Sequence, residues 1–203
     1  MTRPYDMTVR GRQAARTADR ILDATRALLE ERPLADVTLP AIADRAGVAV
    51  RTVLRHHGSR EGCLAATAER VGADIRARRD ASPAGDVTAA VRDLIDHYEQ
   101  DGPLVLRLLS QEPGDEAYAR AAAAEGRTYH RAWVERCFGP LLPPAPASPP
   151  STADPSERET LVDALVAATD LYVWKLLRRD LGRSREATSS TVERTVRALL
   201  EAT

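Results

Sequence analysis

The sequence predicts an all-α protein with about nine helices. Apolar residues recur every three or four positions over most of the chain, which is the spacing of one helix face. Glycines and prolines divide the 203 residues into segments of helical length, and no segment shows the sustained alternation of a half-buried strand. With 43% hydrophobic and 29% charged residues, the chain has the composition of a folded protein of two modest domains.

The first helix is predicted over residues 17–31, with Thr17 as its N-cap and Pro33 beyond its end. Before it, residues 1–16 form a basic N-terminal arm. This arm contains four arginines and one acidic residue, which are Arg3, Arg10, Arg12, Arg16 and Asp6.

Two short helices follow the first. Thr38 is expected to cap the second helix, whose first turn contains Pro40, a position where the missing N–H costs no hydrogen bond. Gly47 comes next and suits a tight left-handed turn. The third helix is predicted over residues 49–57.

The rest of the chain is predicted to contain longer helices, over residues 59–80, 86–100, 103–111, 115–138, 156–180 and 184–202. Residues 140–155 contain 7 of the 13 prolines and are expected to form a proline-rich surface loop. Ser184 is expected to cap the last helix.

The charge is unevenly distributed, although the formal net charge is only −1. Residues 1–66 hold 11 arginines against 8 acids, whereas residues 67–203 hold 18 basic residues against 22 acids. This asymmetry favours a front end that binds nucleic acid and a body that does not.

Residues 38–57 have the spacing of a helix-turn-helix. Ala43 is small where the two helices cross, Gly47 makes the turn, and Val48 and Val53 fill the inner face. The outer face of the third helix is polar, and Arg51 on it can donate two hydrogen bonds to a guanine. The candidate DNA-binding residues are Thr38, Val50, Arg51, Thr52, Leu54, Arg55, His56 and Arg60. The competing interpretation is an ordinary helical hairpin with a solvated charged face.

Over residues 17–64 the sequence resembles the TetR family of bacterial transcription regulators. The residues that carry the resemblance are Thr38, Ile42-Ala43, Ala46-Gly47-Val48, Thr52 and Ser59-Arg60-Glu61. The resemblance implies an N-terminal three-helix DNA-binding domain at 17–64 and a helical ligand-binding and dimerisation domain at 65–203. It further implies a homodimer that places two recognition helices in successive major grooves, about 34–36 Å apart.

Four positions depart from the family's usual pattern. Ala49 stands where a serine commonly caps the recognition helix, which predicts a weaker helix start by about 0.5–2 kcal/mol. Leu54 replaces a tyrosine that usually contacts phosphate, and His57 replaces a frequent phenylalanine. Arg60 replaces the usual lysine and keeps a charge that can hold a phosphate.

The arm at residues 1–16 has two interpretations. It is a disordered tail, or it lies along the minor groove beside the recognition helix, as its four arginines allow.

The two last helices carry apolar residues over an arc too wide for one neighbour to cover. This pattern favours a dimer interface over an ordinary core, although both remain open. The residues assigned to the interface are Leu161, Leu165, Tyr172, Val173, Leu176, Val192, Val196 and Leu199.

The aromatic residues after Tyr5 all lie between Tyr98 and Trp174, where they either pack a core or line a cavity for a small-molecule effector. Asp170 lies in an apolar stretch and would need a partner or a cationic ligand. The candidate ligand-binding residues are Tyr98, Tyr129, Trp133, Asp170 and Trp174. No cofactor and no metal are expected.

The chain has no nucleophile elbow, phosphate-binding loop or zinc-protease motif, so an enzyme is not expected. No apolar run is long enough to cross a membrane, and a cytoplasmic protein is expected. The sequence therefore predicts a DNA-binding transcriptional regulator, a repressor that a small molecule releases from an inverted-repeat operator. The alternative is a helical dimeric interaction module that does not bind DNA.

Overall fold

The computed structural model describes residues 7–112, 117–144 and 156–202. Over these ranges every regular element is helical, which confirms the predicted all-α fold class. The α-helices are α1 (Met7–Glu31), α2 (Leu39–Ala46), α3 (Val50–His57), α4 (Arg60–Arg79), α5 (Val87–Ser110), α6 (Ala117–Phe138), α7 (Glu157–Ala168), α8 (Leu171–Lys175) and α9 (Arg185–Glu201). Short 3-10 turns lie at Leu34–Asp36 and Gly139–Leu141, and a π-helical turn lies at Leu176–Asp180.

The described residues divide into two compact units. The first comprises the described parts of Met1–Ala73 and Arg107–Ala122, and the second comprises those of Asp74–Leu106 and Ala123–Thr203. The first unit thus continues beyond residue 64 and includes a segment from the middle of the chain. The predicted functional division between residues 17–64 and 65–203 stays a prediction.

In the first unit, α1, α2 and α3 pack on one another around an apolar core. The side chains that are at most 1% exposed include Ile21, Leu28, Leu34, Ile42, Val53 and Leu64. The mid-chain segment is attached by two hydrogen bonds. The Leu34 N–H donates to Gln111 Oε1 at 2.6 Å, and the Tyr118 hydroxyl donates to the Leu64 carbonyl at 3.2 Å. These hydrogen bonds join the mid-chain segment to the residues just before and just after the α2–α3 hairpin.

In the second unit, α7 packs against α9, and Trp133, Phe138, Leu165 and Val196 are among its fully buried side chains. The amino acid at position 102 of α5 has to be small, because a Cβ on Gly102 would lie 2.8 Å from Cζ3 of Trp174. This close approach lets the indole lie directly against the helix backbone.

The first helix begins ten residues earlier than the sequence analysis predicts, at Met7 rather than Thr17. Thr17 is not an N-cap, since its hydroxyl donates to the Gln13 carbonyl at 2.9 Å, as a threonine inside a helix does. Alanines and arginines at 12–16 are good helix formers and continue the helix backward, because Gly11 alone is a weak breaker. The predicted irregular arm is therefore wrong for residues 7–16, while residues 1–6, with Arg3, lie outside the described range.

The helices predicted at 86–100 and 103–111 are in fact the single helix α5, with Pro103 inside it. Proline removes the N–H that would bond to the Glu99 carbonyl, at a typical cost of about 3 kcal/mol. Burial of Leu94, Tyr98 and Leu104 along the helix outweighs this cost.

The helix predicted at 156–180 is interrupted after Ala168. Asp170 caps α8, because its carboxylate accepts from the Tyr172 N–H at 2.8 Å. The Thr169 hydroxyl donates to the Leu165 carbonyl at 2.6 Å. Such local side-chain bonds compete with helix continuation, which explains the break. Of the predicted loop at 140–155, residues 145–155 lie outside the described range.

No helix in the described part of the chain is both long enough and apolar enough to cross a membrane.

Candidate nucleic-acid interface

The α2–α3 hairpin has the local geometry predicted for it. Thr38 caps α2, and its Oγ1 accepts from the Ala41 N–H at 3.3 Å. Gly47 ends α2 with φ 63°, in the left-handed region that favours glycine. Ala43 is buried, as the predicted helix crossing requires, and its carbonyl accepts from the Val48 N–H at 3.0 Å. The hairpin therefore holds α3 at a fixed angle to α2.

The outer face of α3 carries two exposed arginines, Arg51 and Arg55, while Val53 on the inner face is fully buried. Val50 and Thr52 are half-buried at the edge of that face. Leu54 is 40% exposed, so an apolar side chain lies beside the two guanidinium groups. A helix with this diameter and this charged face fits a DNA major groove.

The start of α3 lacks a side-chain cap, as expected from an alanine at position 49. The Ala49 carbonyl accepts from the Thr52 N–H at 2.8 Å, but no side-chain oxygen is present to accept from the first free N–H groups. In helix-turn-helix motifs, this N-terminal end of the second helix enters the DNA groove. A phosphate oxygen can accept hydrogen bonds from the free N–H groups there.

Arg20 supports the turn from the neighbouring helix α1, and the sequence analysis missed this role. Its Nη2 donates to the carbonyls of Ala46 at 2.6 Å and Gly47 at 3.3 Å. A cation at the C-terminus of α2 is also favoured by the helix dipole. No sequence signal could have revealed it, because its partners are 26 and 27 residues away.

Arg60 has a structural role that the sequence analysis did not predict. Its Nε donates to the Val37 carbonyl at 2.7 Å, and its Nη2 donates to the Leu34 carbonyl at 2.6 Å. The guanidinium thus stabilises the connection between α1 and α2, and its contact with a phosphate stays a prediction.

His56 is half-buried, and its role as a DNA contact stays a prediction. The Nε2 atoms of both His56 and His57 are buried and have no hydrogen-bond partner in the part of the chain that the structure describes. Burial, and secondarily the neighbouring His56, lower the pKa of His57, while a hydrogen bond that its ring donates to the Ala18 backbone partly opposes this. His57 is therefore neutral near pH 7.

The N-terminal part of α1 adds further positive charge to the first unit, since Arg12 and Arg16 are exposed on it. The side chain of Arg10 is outside the described set. Whether this extension contacts DNA stays a prediction.

The predicted effector residues in the second unit all have partners within the chain. The Tyr98 hydroxyl donates to the Thr169 carbonyl at 2.9 Å, and the Tyr129 hydroxyl donates to Asp80 Oδ1 at 3.0 Å. The indole N–H of Trp133 donates to the Arg79 carbonyl at 3.2 Å, and that of Trp174 donates to Glu99 Oε1 at 2.8 Å. Asp170 is the cap of α8 described above, so its carboxylate has the partner that the sequence left open. A ligand-binding role for these five residues stays a prediction.

The predicted dimer interface separates into two sets. Leu161, Leu165, Val192 and Val196 are buried in the core of their own chain, so they present no face to a partner, and this part of the prediction is wrong. Tyr172 and Leu176 are 55% and 49% exposed, and Val173 and Leu199 are half-buried. An interface role for these four stays a prediction.

Residues 21–67 match the family model described as bacterial regulatory proteins, tetR family. The fold resembles that of a TetR-family transcriptional regulator from Streptomyces coelicolor, with 20% identity, a TM-score of 0.67, and coverage of 93% of this chain and 96% of that one. A TetR transcriptional regulator from Streptococcus agalactiae shows 19% identity and a TM-score of 0.60, with 94% and 99% covered.

A third similar structure is the multidrug binding protein EbrR complexed with imidazole, at 19% identity and a TM-score of 0.55, with 87% and 88% covered. No curated protein matches the sequence. The resemblance stated from residues 17–64 is thus confirmed by the match of the N-terminal segment, and the fold is shared over nearly the whole chain.

Proposed function

The chain carries the N-terminal domain of the tetR family of bacterial regulatory proteins, and from this premise we propose that it is a sequence-specific DNA-binding transcriptional regulator. The observation that carries the proposal is the rigid α2–α3 hairpin with Arg51 and Arg55 exposed on the outer face of α3. Its inner face is closed by Val53, so the exposed side chains are presented at a fixed angle.

Each exposed group has a distinct task in this proposal. Arg51 lies in the first turn of α3 and donates two hydrogen bonds to a guanine edge in the major groove. Arg55 and the hydroxyl of Thr38 contact phosphates and fix the register of the helix on the duplex. The uncapped N-terminus of α3 donates to a phosphate oxygen, which offsets the missing serine cap.

We further propose that the protein acts as a homodimer on an inverted-repeat operator and represses transcription there. The exposed apolar side chains Tyr172, Leu176 and Leu181 in the second unit support an interface between copies. A small molecule bound in the second unit releases the operator. A coupling of about 1–3 kcal/mol between the two sites changes DNA affinity about 5–150-fold.

The test is selection of bound duplexes from a random DNA pool with the wild type and the Arg51→Ala variant. We expect an inverted repeat for the wild type and a loss of about 1–3 kcal/mol at one base position per half-site for the variant. The matched control is Arg194→Ala, which removes an exposed arginine on α9. We expect it to select the same sequence with the same affinity.

Failure of the wild type to enrich any sequence, at low salt and in the absence of added small molecules, would contradict the proposal. The chain would then be a helical interaction module that does not bind DNA. A further check is the salt dependence, since a protein that neutralises about 6–10 phosphates loses about 10³–10⁵ in affinity between 50 and 200 mM salt.

A further inference from the structure

Arg79, the last residue of α4, is a buried cation that forms no ion pair with a carboxylate of the described residues. Arg79 is 2% exposed, and its Nε has no hydrogen-bond partner among the described residues. Nη2 lies 2.8 Å from His130 Nδ1, and the guanidinium carbon lies 4.1 Å from the ring centroid of Trp133. Arginine stays charged in proteins, so its charge is stabilised here by an imidazole and an aromatic face.

The contact with Arg79 fixes the tautomer of His130. Because a guanidinium can only donate, Nδ1 of His130 accepts and its proton lies on Nε2. Nε2 lies 3.2 Å from Thr169 Oγ1, which itself donates to the Leu165 carbonyl at 2.6 Å. Burial, and next the charge of Arg79, lower the pKa of His130 to about 3, so this imidazole contributes no charge at pH 7.

His97 on α5 adds a second buried imidazole to the cluster. The residue is 5% exposed, and neither ring nitrogen has a hydrogen-bond partner among the described residues. Its pKa is lowered well below the ordinary value, first by burial and then by the charges of Arg79 and Arg78 and by His130. His97 therefore carries one N–H donor that no described residue accepts.

The carboxylates near the cluster are engaged elsewhere. Asp101 is fully buried, but it forms an ion pair with Arg78. Asp80 is half-exposed, accepts from the Tyr129 hydroxyl and lies 3.3 Å from Arg136 Nη2. The carbonyl at the end of α4, that of Arg79 itself, already accepts from Trp133 Nε1 and Arg136 Nη2. The cluster thus holds buried donors and positive charge in excess of its acceptors, which costs free energy unless an acceptor is supplied.

We propose that Arg79 and His97 form an anion-binding site in the core of the second unit, with Arg79 supplying the charge and Nε–H, and His97 supplying a neutral N–H. The occupant is a small oxyanion, either free or as the carboxylate of an aromatic acid. The claim that this site binds the effector of a DNA-binding regulator rests on the proposed function. The claim that it binds an anion does not. This ligand is an anion, whereas the sequence analysis considered a cationic ligand for Asp170.

The experiment is isothermal titration calorimetry on the full chain with sodium benzoate and, separately, sodium phosphate, at constant ionic strength. We expect saturable binding of one anion per chain for at least one of the two probes. Arg79→Gln is expected to weaken binding by about 100-fold, because it removes the charge while keeping a polar side chain. The matched control Arg194→Gln, at an exposed arginine, is expected to bind as the wild type does.

A second variant covers the case in which Arg79→Gln does not fold. His97→Leu removes two unpartnered buried nitrogens, so we expect a higher Tm in the absence of anion together with about tenfold weaker anion binding. A residue that only fills space would raise or lower Tm without changing anion affinity. Unchanged affinity in both variants, or no saturable binding of either probe by the wild type up to about 10 mM, would overturn the proposal.

The pattern of results separates the sources of the anion and the two levels of the proposal. Binding of benzoate alone supports an aromatic acid, and binding of phosphate supports a free oxyanion. DNA affinity is then measured with and without the bound probe on a selected duplex. A site that binds anion without changing DNA affinity refutes the effector role and leaves the site. Anion binding by a chain that selects no duplex refutes the proposed function alone.

Discussion

At the scale of single residues, four arginines of the first unit fall into two groups with different surroundings. Arg20 and Arg60 donate to backbone carbonyls and stabilise the α2–α3 hairpin and the connection before it. Arg51 and Arg55 are exposed on the outer face of α3. One side-chain type thus both supports the hairpin and supplies the charge on the exposed face of α3, and only the surroundings of each guanidinium distinguish the two groups.

Ala49 is the residue at which a single atom is expected to change stability. Ala49→Ser would supply an oxygen that accepts from the N–H groups at the start of α3, and we expect a gain of about 0.5–2 kcal/mol in the free energy of unfolding. Chemical denaturation followed by circular dichroism measures this gain. Thr38 already makes such a cap for α2, so Thr38→Ala is the matched control and is expected to lose a similar amount.

At the scale of helices, α5 shows how packing overrides local preference. It continues through Pro103 although proline lacks the N–H for the preceding turn. Its contact with Trp174 requires Gly102, while the indole N–H donates to Glu99 one turn earlier. Gly102, a residue type that usually weakens a helix, is here the residue that allows α5 to lie close to α8.

A pair of glycine substitutions tests this account. Gly102→Ala would place a Cβ 2.8 Å from the Trp174 ring, and we expect a loss of about 1–3 kcal/mol in the free energy of unfolding. Gly126→Ala on α6 meets nothing within 4 Å, so it should gain about 0.5–1 kcal/mol from reduced backbone entropy. Denaturant titrations of both variants measure the difference. Equal effects would contradict a tight contact at position 102.

At the scale of the whole molecule, buried histidines link stability to pH. His97 and His130 both have lowered pKa values because burial disfavours their charged forms. Below the ordinary value of 6.5, the unfolded chain takes up protons that the folded chain does not. Stability is therefore fully present above pH 6.5 and decreases as the pH falls toward the folded pKa of His130, about 3.

The expected size of this effect is about 1.4 kcal/mol per pH unit for each such histidine, or about 2 kcal/mol for His130 between pH 6.5 and 5. Urea denaturation at the two pH values measures it. His130→Gln should show a smaller dependence on pH because it removes one of the titrating groups. Equal stability of the wild type at both pH values would contradict the buried neutral state.

The exposed apolar residues of the second unit lead to a prediction about assembly. Leu176→Arg would introduce a charge into the proposed interface and is expected to weaken self-association by about 2 kcal/mol or more. Sedimentation velocity measures the change. Leu141→Arg alters another exposed leucine and serves as the control, expected to assemble as the wild type does. If both variants sediment equally, Leu176 does not lie in the interface.

The sequence by itself determined the all-α class, the α2–α3 hairpin and the cap positions Thr38 and Ser184. These features depend on neighbours three or four residues away, so they can be deduced from local spacing. The uncapped start of α3 was equally predictable from Ala49. The reading face of α3 followed from the same local pattern, because Val53 and the exposed arginines alternate along one short helix.

Only the tertiary structure decided the surroundings of Arg20, Arg60 and Arg79, and which apolar residues of α7 and α9 lie in the core. The partners of Arg20 and Arg60 lie 23 to 27 residues away, and the imidazole beside Arg79 lies 51 residues away. Hydrogen bonding and burial depend on which groups folding brings together, and a helical period shows which side of a helix is apolar without showing what covers it.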